Sequence, residues 1–163
     1  MSPDEVKIVA SGQKWLSGSE AVPIESALCS LIRESKEKLE LTMYSIWTGY
    51  EFADRVWKEI SDASDRGVQI YMIVDRFDSQ DSEAAKRIVI DMARRSPSTF
   101  GVRSFDDENG ILHAKLAIAD GTRAIISSSN QSDGGYAKNH EIGLLLEGPT
   151  ASKASLMFTR LYR

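Results

Sequence analysis

Residues 113–130 read HAKLAIADGTRAIISSSN. Two apolar runs flank an Asp-Gly pair at 120–121, the short-range signal of a tight hairpin turn, so the strands on either side should pair antiparallel. Side chains two apart on a strand share a face. His113 and Lys115 therefore point the same way, as do Ser128 and Asn130 where the returning strand ends. Glu141 opens the next apolar run, EIGLLLE (141–147). An imidazole, an ammonium, a hydroxyl, an amide and a carboxylate can thus converge at one edge of a sheet.

The pattern around this stretch sets the fold class. VKIVA (6–10), LELTMYSI (39–46), VQIYMIVD (68–75) and FGVRSF (100–105) read as strands. PIESALCSLIRESK (23–36), EFADRVWKEISDASDRG (51–67) and SEAAKRIVIDMARRS (82–96) read as helices, with apolar residues at 3/4 spacing, and a last helix starts near Pro149. Strands separated by helices predict an α/β layered fold: a mixed β-sheet with helices on both faces. Helical crossovers in the first half predict parallel pairing there, and the Asp-Gly turn predicts antiparallel pairing in the second.

With 163 residues, the chain is expected to form one domain over 1–163. Its end, LMFTRLYR, stops inside an apolar-periodic stretch, as a piece of a longer chain would. No apolar run is long enough to span a bilayer, and MSPDEVK lacks the basic-then-apolar pattern of a secretory signal. Cys29 is the single cysteine, so an internal disulfide or a cysteine-based zinc site is excluded. Its setting, IESALCSLI, is a buried helix face, and a reducing cytoplasm fits. Formal net charge is -4, with 20 Lys+Arg against 24 Asp+Glu. A protein that only held nucleic acid loosely would be basic, whereas an enzyme needs only a local positive patch.

The converging groups suit a phosphate diester. Lys115 and Asn130 can donate to non-bridging oxygens and stabilise developing negative charge. A neutral His113 can attack phosphorus once its tautomer is fixed, and Glu141 is the candidate to fix it. The spacing H-x-K-x4-D, then x6 and [G/S]-S-x-N, resembles the HKD motif of the phospholipase D superfamily. His113, Lys115, Asp120, Ser128 and Asn130 match it, and Glu141 matches the acidic residue that follows. Ser127 departs, since glycine is usual there. MYSIWTGYEFADRVWKEISDASDRGVQIYMIVD also resembles the family's strand, helix, RGV turn and strand.

The resemblance implies a metal-independent phosphodiesterase, most simply an endonuclease working through a phosphohistidine, with no metal and no cofactor. The family usually carries two HKD motifs per site and this chain has one. Small single-motif members are homodimers that share one site at a two-fold axis, so the implied partner is a second copy, with nucleic acid as substrate, no membrane, and room for further domains or subunits of a larger system. The second copy also supplies a missing group, because one histidine attacks while another must protonate the leaving oxygen. A phospholipid diesterase or transferase is the alternative enzyme. A non-catalytic dimerisation or nucleic-acid-binding subunit is the alternative class, and the intact histidine, lysine and asparagine argue against it.

Competing roles attach to several residues. Asp120 sits where Asp-Gly is favoured for backbone reasons alone, so the turn outweighs the site there. His140 neighbours Glu141 but should face the other way, towards the surface. DRFDSQDSE (75–83) is acidic but lacks the spacing of an EF-hand loop. Trp57 lies on an apolar helix face and reads as core. Trp47 and Tyr50 follow a strand end, where a site would open, and Tyr136 and Lys138 lie in the Gly-rich loop SDGGYAKN beside the motif. Trp47, Tyr136 and Lys138 join Lys115 and Asn130 as substrate-binding candidates.

Overall fold

The computed structural model describes residues 3–80, 82–130, 132 and 134–163, without the side chains of residues 136 and 137. Eight strands form one mixed sheet: β1 (Glu5–Ala10), β2 (Val22–Pro23), β3 (Lys38–Met43), β4 (Gln69–Asp75), β5 (Phe100–Phe105), β6 (Lys115–Ala119), β7 (Arg123–Ser127) and β8 (Ile142–Glu147). The helices are α1 (Gln13–Leu16), α2 (Ile24–Glu34), α3 (Glu51–Asp65), α4 (Glu83–Arg95) and α5 (Pro149–Tyr162). The strand order is β2-β1-β8-β7-β6-β3-β4-β5.

The expected Asp-Gly hairpin is present. β6 and β7 pair antiparallel with Lys115 opposite Ser127, and Asp120 and Gly121 both take positive φ at the turn. β3, β4 and β5 are parallel neighbours, as helical crossovers require. The expectation of parallel pairing fails for β1, whose main partner is β8, antiparallel, with Ile8 opposite Leu144. The meander β6-β7-β8 fills the space between β1 and β3. Helix α2 therefore crosses over that meander and packs on β6 and β7. The short α1 lies in a stretch the periodicity left unassigned, and β2 takes Pro23, the first residue read as helix, so α2 begins one residue later, at Ile24.

Helices cover both faces. On one face, Leu28, Leu31 and Ile32 of α2, Val56 and Ile60 of α3 and Val89 of α4 pack on Leu41, Met72, Ala117 and Ile125. Cys29 lies in this core, and burial, then the nearby Glu25 carboxylate, push its thiol up to about 12. On the other face, Ala151 and Phe158 of α5 pack on Ile73, Ile118 and Ala124. Helix α5 covers only one end of the sheet. Ala124 and Leu146 are buried beneath it, but Ile126 and its neighbour Leu144 are exposed, with Val6, Ile8 and Ile142 beside them. This bare apolar face reaches the end of the sheet where Ser128 and Glu141 lie.

Candidate active site

β6 begins at Lys115, two residues later than HAKLAIA suggested, so His113 precedes the regular strand. Side-chain bonds replace the missing ladder there. The Thr42 hydroxyl of β3 donates to the Ala114 carbonyl at 2.8 Å and accepts the Leu116 N–H at 3.1 Å. The buried Asp75 carboxylate, at the end of β4, accepts the Leu112 N–H at 2.7 Å. His113 is thereby fixed from both sides although it lies outside the strand. The sequence gives no local cue for this, because Thr42 and Asp75 lie more than 35 positions earlier in the chain.

Lys115 points along the α2 side of the sheet with Ala117 and Ala119. Its Nζ lies 2.9 Å from each ring nitrogen of His113, so the ammonium donates to whichever nitrogen is unprotonated. The imidazole packs edge-on against Tyr44, with ring centroids 4.7 Å apart, and the Lys115 ammonium sits 5.4 Å from the same ring's centroid. Lys115 is only 8% exposed. Its stem borders a small cavity with Ile24, Leu28 and Leu41. Burial lowers the Lys115 ammonium below the ordinary lysine range, and the Glu141 charge opposes that shift in part.

Ser128 and Glu141 meet directly: the Ser128 hydroxyl donates to one carboxylate oxygen, and the Asn139 amide donates to the other at 3.3 Å. Glu141 therefore faces the site, while its contacts among the described residues are to Ser128 and Asn139 and not to the His113 ring. The tautomer-fixing contact expected of it is not made within one chain. Asn130 is half-buried, and its Oδ1 is buried without a hydrogen-bond partner. An acceptor left unsatisfied at a cavity that Lys115 also lines leaves a place for an incoming donor.

Asp120 is elsewhere. It lies five residues along the strand from Lys115, about 16 Å away at the usual rise. At φ 54 in the β6–β7 turn, its carboxylate accepts backbone N–H groups of Lys36, Glu37 and Lys38. The acid clamps the α2–β3 connection to the hairpin. Burial raises its pKa, but the three backbone donors, with Arg123, outweigh burial and leave it below the usual aspartate range. His140 packs edge-on against Trp15, away from the site.

Trp47, Tyr50 and Lys138 line a concavity of about 380 Å³ that Asn130 also borders. The Gly-rich loop turns as a π-helical segment, Gly134–Lys138. The Tyr136 side chain lies outside the described residues. Ser11, which the sequence reading passed over, holds the loop in place. Its buried hydroxyl lies 2.8 Å from the Gly135 carbonyl and 2.9 Å from that of Asn139, and it accepts the Glu141 N–H at 3.3 Å. Among the described residues no group of three or more His, Cys, Asp or Glu side chains could hold a metal ion.

A lysine and a histidine paired at the rim of a mixed sheet, with a serine, an asparagine and a glutamate from the next two segments, stand on the phosphodiesterase fold of the phospholipase D superfamily. Residues 28–162 match the family described as cardiolipin synthase, PLD-like domain, and the chain belongs to that family. Nuc from Salmonella typhimurium, a phospholipase D family member, superposes with a TM-score of 0.74 at 17% identity, over 98% of this chain and 95% of its own. Phosphatidylserine synthase from Haemophilus influenzae Rd KW20 superposes with a TM-score of 0.73 at 15% identity, over 98% of this chain and 39% of its own. The DISARM protein DrmC of Bacillus paralicheniformis is 32% identical over 106 residues, which is 62% of this chain and 42% of DrmC. The chain thus matches less than half of that relative's length.

Proposed function

We propose that the chain is a nuclease that hydrolyses phosphodiester bonds without a metal, through a site shared by two copies. The observation that carries this reading is the Lys115 ammonium 2.9 Å from the His113 imidazole, at one end of a sheet where Ser128, Glu141 and Asn130 also gather. His113 attacks phosphorus, a P–N bond forms, and the P–O bond to the leaving group breaks. His113 of the second copy gives its proton to the leaving oxygen. It then takes a proton from the water that attacks the phosphohistidine, and the P–N bond breaks. Lys115 holds the non-bridging oxygens throughout, with Asn130 assisting, and Glu141 acts through Ser128.

Two further observations support the shared site. One chain contains a single motif and two histidines, of which His140 points away. The bare apolar face of Val6, Ile8, Ile126, Ile142 and Leu144 adjoins the site, and exposed apolar faces of this kind mark protein contacts. The likeness to phosphatidylserine synthase favours a second reading, a phospholipid diesterase or transferase. No helix among the described residues is long and apolar enough to cross a membrane. The partial match to DrmC favours work alongside further domains or subunits.

The test is cleavage of labelled single- and double-stranded DNA, RNA and phospholipid in excess chelator. Nucleic acid is cut by the wild type, and His113→Ala cuts at least about a thousand-fold more slowly, as removal of a covalent nucleophile does. Strict dependence on a divalent ion, or wild-type turnover by His113→Ala, overturns the mechanism. Turnover of phospholipid alone selects the second reading.

A further inference from the structure

The concavity beside Asn130 has a feature that phosphate chemistry does not need. Two large aromatics, Trp47 and Tyr50, are 38% and 43% exposed on its wall, with ring centroids 6.4 Å apart. They are held in place. The Trp47 indole N–H donates to the Ser45 hydroxyl at 3.1 Å. The Trp47 carbonyl accepts the indole N–H of Trp57, itself buried, at 2.7 Å. Asp54 closes the turn between the two aromatics, accepting the Thr48 hydroxyl at 2.7 Å and the Gly49 N–H at 2.9 Å. Lys138 lines the same concavity.

An exposed π-surface that is pre-ordered, with a cation in the same concavity and a phosphate-handling site adjoining, suits a nucleobase whose own phosphate meets the lysine. About 380 Å³ sits at the small end of ligand pockets, with room for one nucleoside. We propose that Trp47, Tyr50 and Lys138 form a subsite that stacks one base next to the scissile phosphate, which makes unpaired nucleic acid the substrate class. This rests on the nuclease reading above. A base within a duplex is already stacked on its neighbours and reaches Trp47 only after leaving the helix.

Binding and cleavage are measured separately. His113→Ala protein, which binds without cutting, is titrated with a fluorescein-labelled oligodeoxythymidine, a duplex of equal length, and phosphatidylglycerol vesicles. Adding Trp47→Ala should weaken single-strand binding roughly ten- to hundred-fold and duplex binding far less, and Trp47→Phe should recover most of the loss. Single-strand binding within two-fold of the parent after Trp47→Ala, equal losses for strand and duplex, or Trp47-dependent binding to vesicles with none to oligonucleotide, each overturns the subsite. Cleavage by otherwise wild-type protein then separates the two ideas. Cutting that ignores Trp47 removes the subsite and leaves the nuclease. Trp47-dependent strand binding without any cutting removes the nuclease and leaves the subsite.

Discussion

Two charges, the buried Lys115 and the half-buried Asp120, explain themselves residue by residue. Lys115 carries its ammonium through an apolar wall, and burial lowers its pKa. Only the protonated form holds a phosphoryl oxygen, so activity is lost as pH rises through that lowered value. kcat/KM reports the free enzyme. Its alkaline limb should therefore fall below the ordinary lysine value of about 10.4, and a profile flat beyond that pH removes Lys115 from the chemistry. The sign for stability is opposite. The unfolded chain binds this proton more readily than the folded one, so stability rises with pH through the same window. Asp120 behaves as the usual carboxylate: its folded pKa is lowered, so its contribution is present above about pH 4 and is lost as pH falls. Asp120→Asn keeps a side chain that tolerates positive φ but loses the charge. It should cost about 1–3 kcal/mol at pH 7 in urea unfolding, with the difference shrinking in acid and the specific activity of the folded fraction retained. A large loss of kcat would return Asp120 to the site.

At the scale of elements, the motif is held by contacts from far along the chain. Gly135, in the π-helical turn, lies against Asn130. A Cβ placed there would meet the Asn130 carbonyl oxygen, and would lie 2.7 Å from the Ser129 hydroxyl and 3.0 Å from the Asn130 N–H. Gly135→Ala should push Asn130 out of position and lower kcat about ten-fold or more, since small misplacements near reacting atoms are costly, while far-UV circular dichroism stays native. Normal kcat with native spectra would show that Asn130 has room to move. The hairpin, the parallel β3-β4-β5 unit and the helices α2 to α5 could be read from the sequence, because turn chemistry and apolar period are local signals. The roles of Thr42, Asp75 and Ser11 could not. Each replaces a backbone ladder or a loop contact by a side chain, and ordinary Thr, Asp and Ser positions carry no such mark. The same limit hid the antiparallel partner of β1, since no local pattern reveals which strand fills the sheet beside it.

The whole molecule presents a sheet face that its own helices leave half bare. Leu144 is exposed at the centre of that face, so Leu144→Asp should leave the monomer folded, halve the mass seen by light scattering, and abolish cleavage together with dimerisation. A monomer that cuts at wild-type rate rules out the shared site. Mixed dimers of wild-type and His113→Ala subunits should be inactive as well, because attack and protonation need both histidines. The strand order has a different consequence, for biosynthesis. β1 is made before the other seven strands, yet its register runs along β8, from Glu5 opposite Glu147 to Ala10 opposite Ile142. Contacts this distant in sequence form late. The β3-β4-β5 half can assemble as it is synthesised, but β1 has only the two-residue β2 beside it until β8 has been made, so the sheet closes last along β1 and β8.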